Sequence, residues 1–489
     1  MSNLLTVSSD SRVRGLSRHL PRLSVCGMVL ALSACTLGPN YHDAPPTAQN
    51  TLHAGVFART PEQGVSTAPG VARWWTELGD PELDSLIETA LANNPDIRAA
   101  EARLRASRAS LTKAQDNALP KVAANAAALR TQRPSELDTL GSGPLKLYTA
   151  GFDATWEIDL FGGTRRAIEA AGAQAQSVEA NLADTHVSLA AEIAQAYVEL
   201  RAQQQRAVIA HQSAEYEEQI LTLTQQRRAR GTASDADVER SRTQVGTTRA
   251  SLTPIDADVG ESLDRLAVLC GLEPGALDAR LSKAGPLPTL PATVAIGDPA
   301  ALLKRRPDIR AAERKLASST AQIGENEADY FPKLTLLGDL GFSASTPGGL
   351  FRRSNSSWIG VPYLSWNVFD FGRTRAAVRN AEAQRDEAVA NYQGTVLGAL
   401  RDADTALSHY GHQRDNVAQL RDVEASADRS AALMNQRYRA GASSMIDWLD
   451  TERTRLSAQQ NTLNGQAQLV EDFVSIQKSL GLGWEAASK

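Results

Sequence analysis

Three constellations in this chain hold residue types that chemistry uses: a histidine pair, a lone cysteine and an Asp-Phe-Gly triplet. His409 and His412 stand three apart, a spacing that lets two imidazoles share a metal on one helix face, but no third ligand accompanies them. Cys270 is the one cysteine beyond residue 35, so it has no intrachain disulfide partner. No histidine lies near it in sequence to activate its thiol, and it reads as a small buried apolar residue. Asp370, Phe371 and Gly372 match a kinase's metal-holding triplet in letters alone. The Gly-rich phosphate loop, the catalytic His-Arg-Asp and the paired lysine are missing. With no nucleophile elbow either, the sequence predicts no enzyme, no metal and no cofactor.

A fourth residue has a covalent chemistry of another kind. Arg12, Arg14, Arg18 and Arg22 precede an apolar run of about a dozen residues, which is an export signal too short to span a membrane. It ends in Leu32, Ser33, Ala34 and Cys35, which resembles the bacterial lipobox. Small residues suit a signal peptidase cleft, and Cys35 would become the diacylated first residue of the mature chain. Val25 makes Cys26 a poor match. Thr36, in place of Asp, favours sorting to the outer membrane. A plain signal peptide is the alternative.

The elements that position these residues follow from composition and repetition. Across 489 residues, 51 Lys+Arg against 56 Asp+Glu give a net charge of −5, which argues against a nucleic-acid partner. Aromatics are sparse and alanine abundant, which suits helices packed closely on helices. The run from Pro95 to Glu101 reappears from Pro307 to Glu313, and Pro120 and Lys121 reappear as Pro332 and Lys333, both 212 residues on. Trp156, Phe161, Gly162, Thr164 and Arg165 return as Trp366, Phe371, Gly372, Thr374 and Arg375, now 210 residues on. A register kept through separated matches marks a tandem duplication.

The organisation expected is a leader over 1–34, a lipidated extended segment over 35–75, a first repeat over 76–270, a Pro-rich connector over 271–300 and a second repeat over 301–482. Each repeat reads as helix, strand, strand, long helix, tight turn, long helix. Alternation places strands at about 120–131 and 146–160, then 332–343 and 357–369, each long enough for a tilted membrane strand. A soluble hairpin with one buried face fits the same pattern. The helical hairpins cover 164–270 and 374–482. Their first arms lack proline, and apolar residues recur in three-and-four steps through Leu189, Ile193, Ala196 and Leu200 and again through Val396, Leu400, Ala403 and Leu407. Such an arm reaches about 100 Å. Gly231 and Gly441 can adopt the left-handed conformation that ends a helix, and Ser-x-x-Asp after each opens the next with a capping box.

Four strands cannot close a membrane barrel, for which about eight is the practical minimum, so copies must share one around an axis. The fold class is therefore mostly α with a small β part, built from the duplicated unit and completed by an oligomer.

The chain is similar to the TolC/OprM outer-membrane efflux channels, in particular their NodT-like lipoprotein branch. The motifs that carry the resemblance run from Cys35 to Tyr41, through Trp74 and Trp75, Pro81 to Leu83, Asn94 to Ile97, Trp156 to Gly162, Arg306 to Arg310 and Asp370 to Gly372. The resemblance implies a homotrimer with a 12-stranded transmembrane β-barrel and a periplasmic α-barrel of twelve helices. It implies outer-membrane lipid around the barrel, a periplasmic adaptor and an inner-membrane pump of the resistance–nodulation–division type as partners. The function implied is the exit duct of a tripartite efflux system; the alternatives are an adaptor lipoprotein and a structural envelope tether. In the family, acidic side chains ring the closed periplasmic end, and the matching positions are Asp450 and Asp447, with Asp237 in the first repeat. Asp447 and Asp237 also sit where a capping box wants an acid, whereas Asp450 does not. Tyr438 matches a tyrosine that holds the hairpin shut, and Ser443 replaces an arginine latch. Arg227, Arg228, Arg230, Arg437 and Arg439 complement the helix dipole and are the adaptor-contact candidates. Tyr148, Trp156, Trp358 and Trp366 suit an interfacial aromatic girdle or simple hairpin packing.

Overall fold

A computed structural model describes residues 36–131 and 145–484. In chain order they form helix α1 (Gln49–Ala54), strand β1 (Val65–Ser66), helices α2 (Pro81–Asn93) and α3 (Pro95–Asp116), and strands β2 (Lys121–Thr131) and β3 (Leu145–Ile158). Helices α4 (Gly163–Ala229), α5 (Asp235–Leu269) and α6 (Asp278–Leu281) follow, then strand β4 (Val294–Ala295) and helices α7 (Pro299–Arg305) and α8 (Pro307–Glu327). Strands β5 (Lys333–Ala344) and β6 (Ser356–Ser365) and helices α9 (Arg373–Arg439) and α10 (Met445–Ser479) complete the chain. Two differences from the sequence reading have local causes. The single helix expected before each strand pair is two, because the proline of each Pro-Asp-Ile motif starts a new helix; Asn94 Oδ1 caps the first by accepting from Asp96 N at 2.7 Å. The segment expected to be extended over 35–75 contains α1.

By its contacts the chain divides into two compact units. One comprises the described part of Met1–Ala44 with Ala106–Ala175 and Arg314–Val389. Its centre is an antiparallel sheet in the order β2-β3-β5-β6. Cross-strand rows place Ala124, Phe152, Leu340 and Trp358 side by side, and the next row over holds Ala123, Asp153, Asp339 and Ile359. Side chains alternate across a pleat, so one face gathers Val122, Phe152, Trp156, Leu336, Leu340 and Leu364, and the other gathers Asn125, Asp153, Thr155, Glu157, Thr335 and Asp339. The apolar face stays open to solvent, as do both edges, β2 and β6. A lone soluble sheet of this kind would aggregate.

The duplication is visible in the register. Lys121 pairs with Thr155 and Lys333 with Ser365, the same pairing after the 212- and 210-residue shifts. Trp156 Nε1 donates to Ala118 O at 2.9 Å and Trp366 Nε1 to Tyr330 O at 2.9 Å, one bond repeated. The strand expected over 357–369 ends instead at Ser365. Its counterpart β3 reaches Ile158 because it has a neighbour on each side, whereas β6 has one among the described residues.

The N-terminal strap belongs to this unit. Leu37 N donates to Phe161 O at 3.2 Å. The buried Arg166 donates to Leu37 O at 2.8 Å, Gly38 O at 3.0 Å and Asn40 Oδ1 at 2.7 Å. Gly162, at φ +86°, lies against the Thr36 backbone, where a Cβ would meet it at 2.9 Å. Asp370, of the discounted triplet, starts α9 by accepting from Gly372 N at 2.8 Å and Thr374 N at 2.7 Å.

The second unit comprises Pro45–Arg105, Gln176–Glu313 and the described part of Ala390–Lys489. Its core holds Trp74, Leu83, Leu86, Ile87, Tyr197, Leu266 and Phe473, with the Trp74 ring edge-on to Phe473 at 6.0 Å. Leu189, Ile193, Leu200, Val396 and Leu407 are buried, so the three-and-four apolar seams of both long arms face protein. Cys270 ends α5 fully buried, its thiol pushed up to about 11 by that burial. Pro254 sits inside α5, where it removes one ladder bond. No helix among the described residues is long and apolar enough to cross a membrane.

Candidate gate at the helical hairpin tips

Each hairpin turns in five residues. Gly231 and Gly441 take φ values of +75° and +74°, the left-handed conformation that lets the chain reverse without a Cβ clash. Thr232 N donates to Arg227 O at 2.9 Å and Ala442 N to Arg437 O at 2.9 Å, closing the last turns of α4 and α9. Ser234 and Ser444 then open α5 and α10. Ser234 Oγ accepts from Asp237 N at 3.1 Å, and Asp237 accepts in return from Ser234 N at 2.9 Å. Ser444 and Asp447 repeat this at 3.2 Å and 3.1 Å. Hydrogen bonds from Ser234 and Ser444 hold the carboxyls of Asp237 and Asp447 below the usual carboxylate range. Both acids are therefore committed to helix caps.

Asp450 is not. It lies one turn beyond Asp447, exposed, with Arg453 Nη2 at 2.7 Å. It lines a groove of about 640 Å³ between α5 and α10, together with Glu239, Arg240, Ile446 and Leu449. Arg240 occupies the equivalent place in the first repeat, so the groove brings an acid and a base from the two copies together.

Tyr438 is buried rather than facing this groove. Its ring stacks on Trp448 at 4.7 Å and 17°, and the Arg227 guanidinium lies over its other side, 4.7 Å from the centroid. Tyr216 meets Trp448 edge-on at 6.0 Å. Ile220 and Met445 complete the cluster. The first hairpin is thereby fastened to the second inside one protomer. Ser443 makes no substitute for the arginine latch: its hydroxyl is buried without a hydrogen-bond partner among the described residues.

The five arginines separate into two groups. Arg227 is half-buried on Tyr438 and Arg228 pairs with Asp235, whereas Arg230, Arg437 and Arg439 are exposed. Sequence reasoning missed Trp448, Tyr216 and Arg453. The ten-residue step from Tyr438 to Trp448 across the turn was the available signal for the first. Arg453, one turn after Asp450, was the signal for the ion pair. Tyr148 in β3 and Trp358 in β6 occupy equivalent positions, as do Trp156 in β3 and Trp366, one residue past the end of β6, each eight residues further along the chain. His409 and His412 are both exposed. Cys35 lies outside the described residues.

The profile of the family described as "Outer membrane efflux protein" matches residues 86–272 and 299–482. The chain is 30% identical over 470 residues to outer membrane protein OprJ of Pseudomonas aeruginosa, covering 95% of this chain and 97% of that one. It is 29% identical over 472 residues to nodulation protein T of Rhizobium leguminosarum bv. trifolii, covering 94% and 97%. The solved outer-membrane channel OprN matches with a TM-score of 0.86 at 35% identity, over 92% of this chain and 100% of that one. These channels combine an α-barrel with a β-barrel. The chain belongs to the outer membrane efflux protein family: it is the outer-membrane exit duct of a tripartite efflux system, in which trimeric channels work with an adaptor and an inner-membrane pump.

Proposed function

We propose that the hairpin tips are the gate of this duct and that Asp450 supplies its acidic constriction. The observation that carries this reading is the division of labour between neighbouring acids. Asp447 and Asp237 are spent on capping boxes, and Asp450, one turn on, stands exposed. Repeated around a threefold axis, Asp450 gives a ring of carboxylates that attracts cations, and like charges at close range favour separation of the tips. Arg453 tempers that repulsion within each protomer. Gly231 and Gly441 allow the tight turns, and the Tyr438 stack holds the second hairpin to the first.

The exposed Arg230, Arg437 and Arg439 are the adaptor contacts in this proposal, with Arg227 and Arg228 serving the tip itself. The pump is of the resistance–nodulation–division type, as the resemblance to the TolC/OprM channels implies. Cys35 carries the lipid. The strap supports this, because Arg166 fixes residues 37–40 beside the strand ends, one residue after Thr36 at Gly162. Tyr148 stands eight strand residues from Trp156, about 26 Å, close to the roughly 25 Å apolar band that aromatic girdles flank in outer-membrane barrels, and Trp358 and Trp366 repeat the spacing with Trp366 just past the end of β6.

The test is single-channel conductance of the purified protein in planar bilayers. Wild type is expected to give small cation-selective openings, and Asp450→Ala to reduce their cation preference. Unchanged selectivity in the variant would remove Asp450 from the gate.

A further inference from the structure

The end of the sheet at which β2 and β5 finish gathers cations without acids. Arg130 and Lys146 lie directly opposite each other in the β2–β3 pair, and Arg352 and Arg353 follow one another in the turn between β5 and β6. All four are exposed. No Asp or Glu occurs in residues 124–131, 145–152 or 340–360, so among the described residues the sheet and turn offer them no carboxylate. Counting Arg133, Glu136 and Asp138 from the sequence between β2 and β3 still leaves the sum positive, in a chain whose net charge is −5. Like charges set directly opposite on neighbouring strands repel. An Arg–Lys pair with no acid beside it therefore calls for an anion from outside the chain.

The register shows which face carries the pair. Ala126 pairs with Ala150, Ala128 with Tyr148 and Arg130 with Lys146. Alternate residues share a face, so Arg130 and Lys146 continue the apolar one, two residues or about 7 Å beyond Tyr148. Phe342 is on the same face, and Phe351 meets its ring edge-on at 5.6 Å while remaining 73% exposed. The turn that presents Arg352 and Arg353 is held by hydrogen bonds of its own. Asn355 N donates to Arg352 O at 2.8 Å, Asn355 Nδ2 to Gly349 O at 2.7 Å and Ser356 Oγ to Arg353 O at 2.8 Å.

Connectivity gives the direction. At their other ends β3 and β6 lead into α4 and α9, and in this family the long helical part is periplasmic. The cations thus stand at the end that faces outward. On the lipid side of a barrel a charge is tolerated near the interface and not at the bilayer centre. There, Lys and Arg stems lie along apolar surface while their heads reach the polar layer. Going outward, the chain presents an aromatic ring and then a cation, the order of acyl chain and phosphate in a lipid. One phosphate cannot answer the whole set, because β2 and β6 are three strand spacings apart, about 14 Å. Arginine's paired donors also match phosphate oxygens.

We propose that Arg130, Lys146, Arg352 and Arg353 dock a lipid whose headgroup carries two phosphates, the lipid A of the outer leaflet's lipopolysaccharide, with Tyr148 and Phe351 against its acyl chains. The proposal rests on the outer-membrane barrel reading and adds a specific lipid to it.

The experiment measures how much radiolabelled lipid A stays with the purified full-length protein through gel filtration in mild detergent. Wild type is expected to retain diphosphoryl lipid A about tenfold better than lipid A stripped of both phosphates, with retention falling as salt rises. The quadruple variant R130Q/K146Q/R352Q/R353Q is expected to lose that preference. Arg352→Gln with Arg353→Gln, which leaves every strand as it is, is measured beside it and is expected to lose roughly threefold. Arg352→Lys with Arg353→Lys keeps the charge and should retain more than the glutamine pair. Equal retention of the stripped lipid by wild type, or an unchanged preference in both glutamine variants, would overturn the site. Phosphatidylglycerol that displaces the label as well as unlabelled lipid A does would overturn the choice of lipid. Wild-type protein absent from the outer-membrane fraction of cells would instead remove the barrel reading on which the site rests.

Discussion

Asp447 and Asp450 are three residues apart and do different work, and only their partners reveal it. Asp447 answers to Ser444, Asp450 to Arg453. The same distinction applies to Tyr438. Tyr438, matched to a tyrosine that holds the hairpin shut, is held by its ring, between Arg227 and Trp448. Truncating a buried tryptophan costs roughly 3–5 kcal/mol, and a cation–π contact about 0.5–2 kcal/mol, so Trp448 outweighs Arg227 in the stack. Trp448→Ala is therefore expected to speed amide exchange over residues 438–450 and to raise the open probability of the channel. Trp448→Phe, which keeps a stacking partner, should stay near wild type. Unaltered exchange in the alanine variant would show that the stack holds nothing.

At the scale of elements, the turns are the best-specified parts of the chain. Gly, then Ser-x-x-Asp, appears at both tips, and both form reciprocal capping boxes. Removing the serine at such a cap costs about 1 kcal/mol, enough to fray a tip that has few contacts but not to unfold the arm. Acid should do the same. The folded-state carboxyls of Asp237 and Asp447 sit below the ordinary 3.8. Their stabilisation is thus complete above the unfolded value and is lost as pH falls through the lowered native one. Hydrogen exchange at the amides of residues 234–238 and 444–448, corrected for intrinsic rate, is expected to hold steady from pH 7 to 5 and to accelerate below about 3.8. Ser234→Ala should remove that step from the first tip alone, and a step that survives the change would assign it to another group. Alternation is clean in β3 and β5, less clear in β6 and weak in β2, and the sheet has a polar and an apolar face. The end of β6 was not legible, because a strand's length depends on having a neighbour to bond, and among the described residues β6 has a single neighbour.

For the whole molecule, the exposed apolar face and open edges of the sheet leave it unfinished as a soluble object. Closure with other copies and insertion in lipid satisfy both needs at once. On the proposal that Cys35 is lipidated, the lipid adds to that insertion and is not its source. Cys35→Ser is expected to abolish incorporation of labelled palmitate while the protein still reaches the trimer, because Arg166 and the sheet are untouched. Label that persists in the variant would place the lipid elsewhere.

Sequence by itself determined what depends on local order. The duplication, the long proline-free arms, the glycine turns, the caps and the two-faced strands all follow from residues within one turn or one pleat of each other, and the 212- and 210-residue shifts carry them into the second repeat. Tertiary structure decided what depends on distance in the chain. It brought Arg227 onto Tyr438, Arg240 into the groove with Asp450, and residues 37–40 under Arg166. It also left Phe371 at a left-handed φ of +56° and 98% exposed, a state that no local pattern encodes.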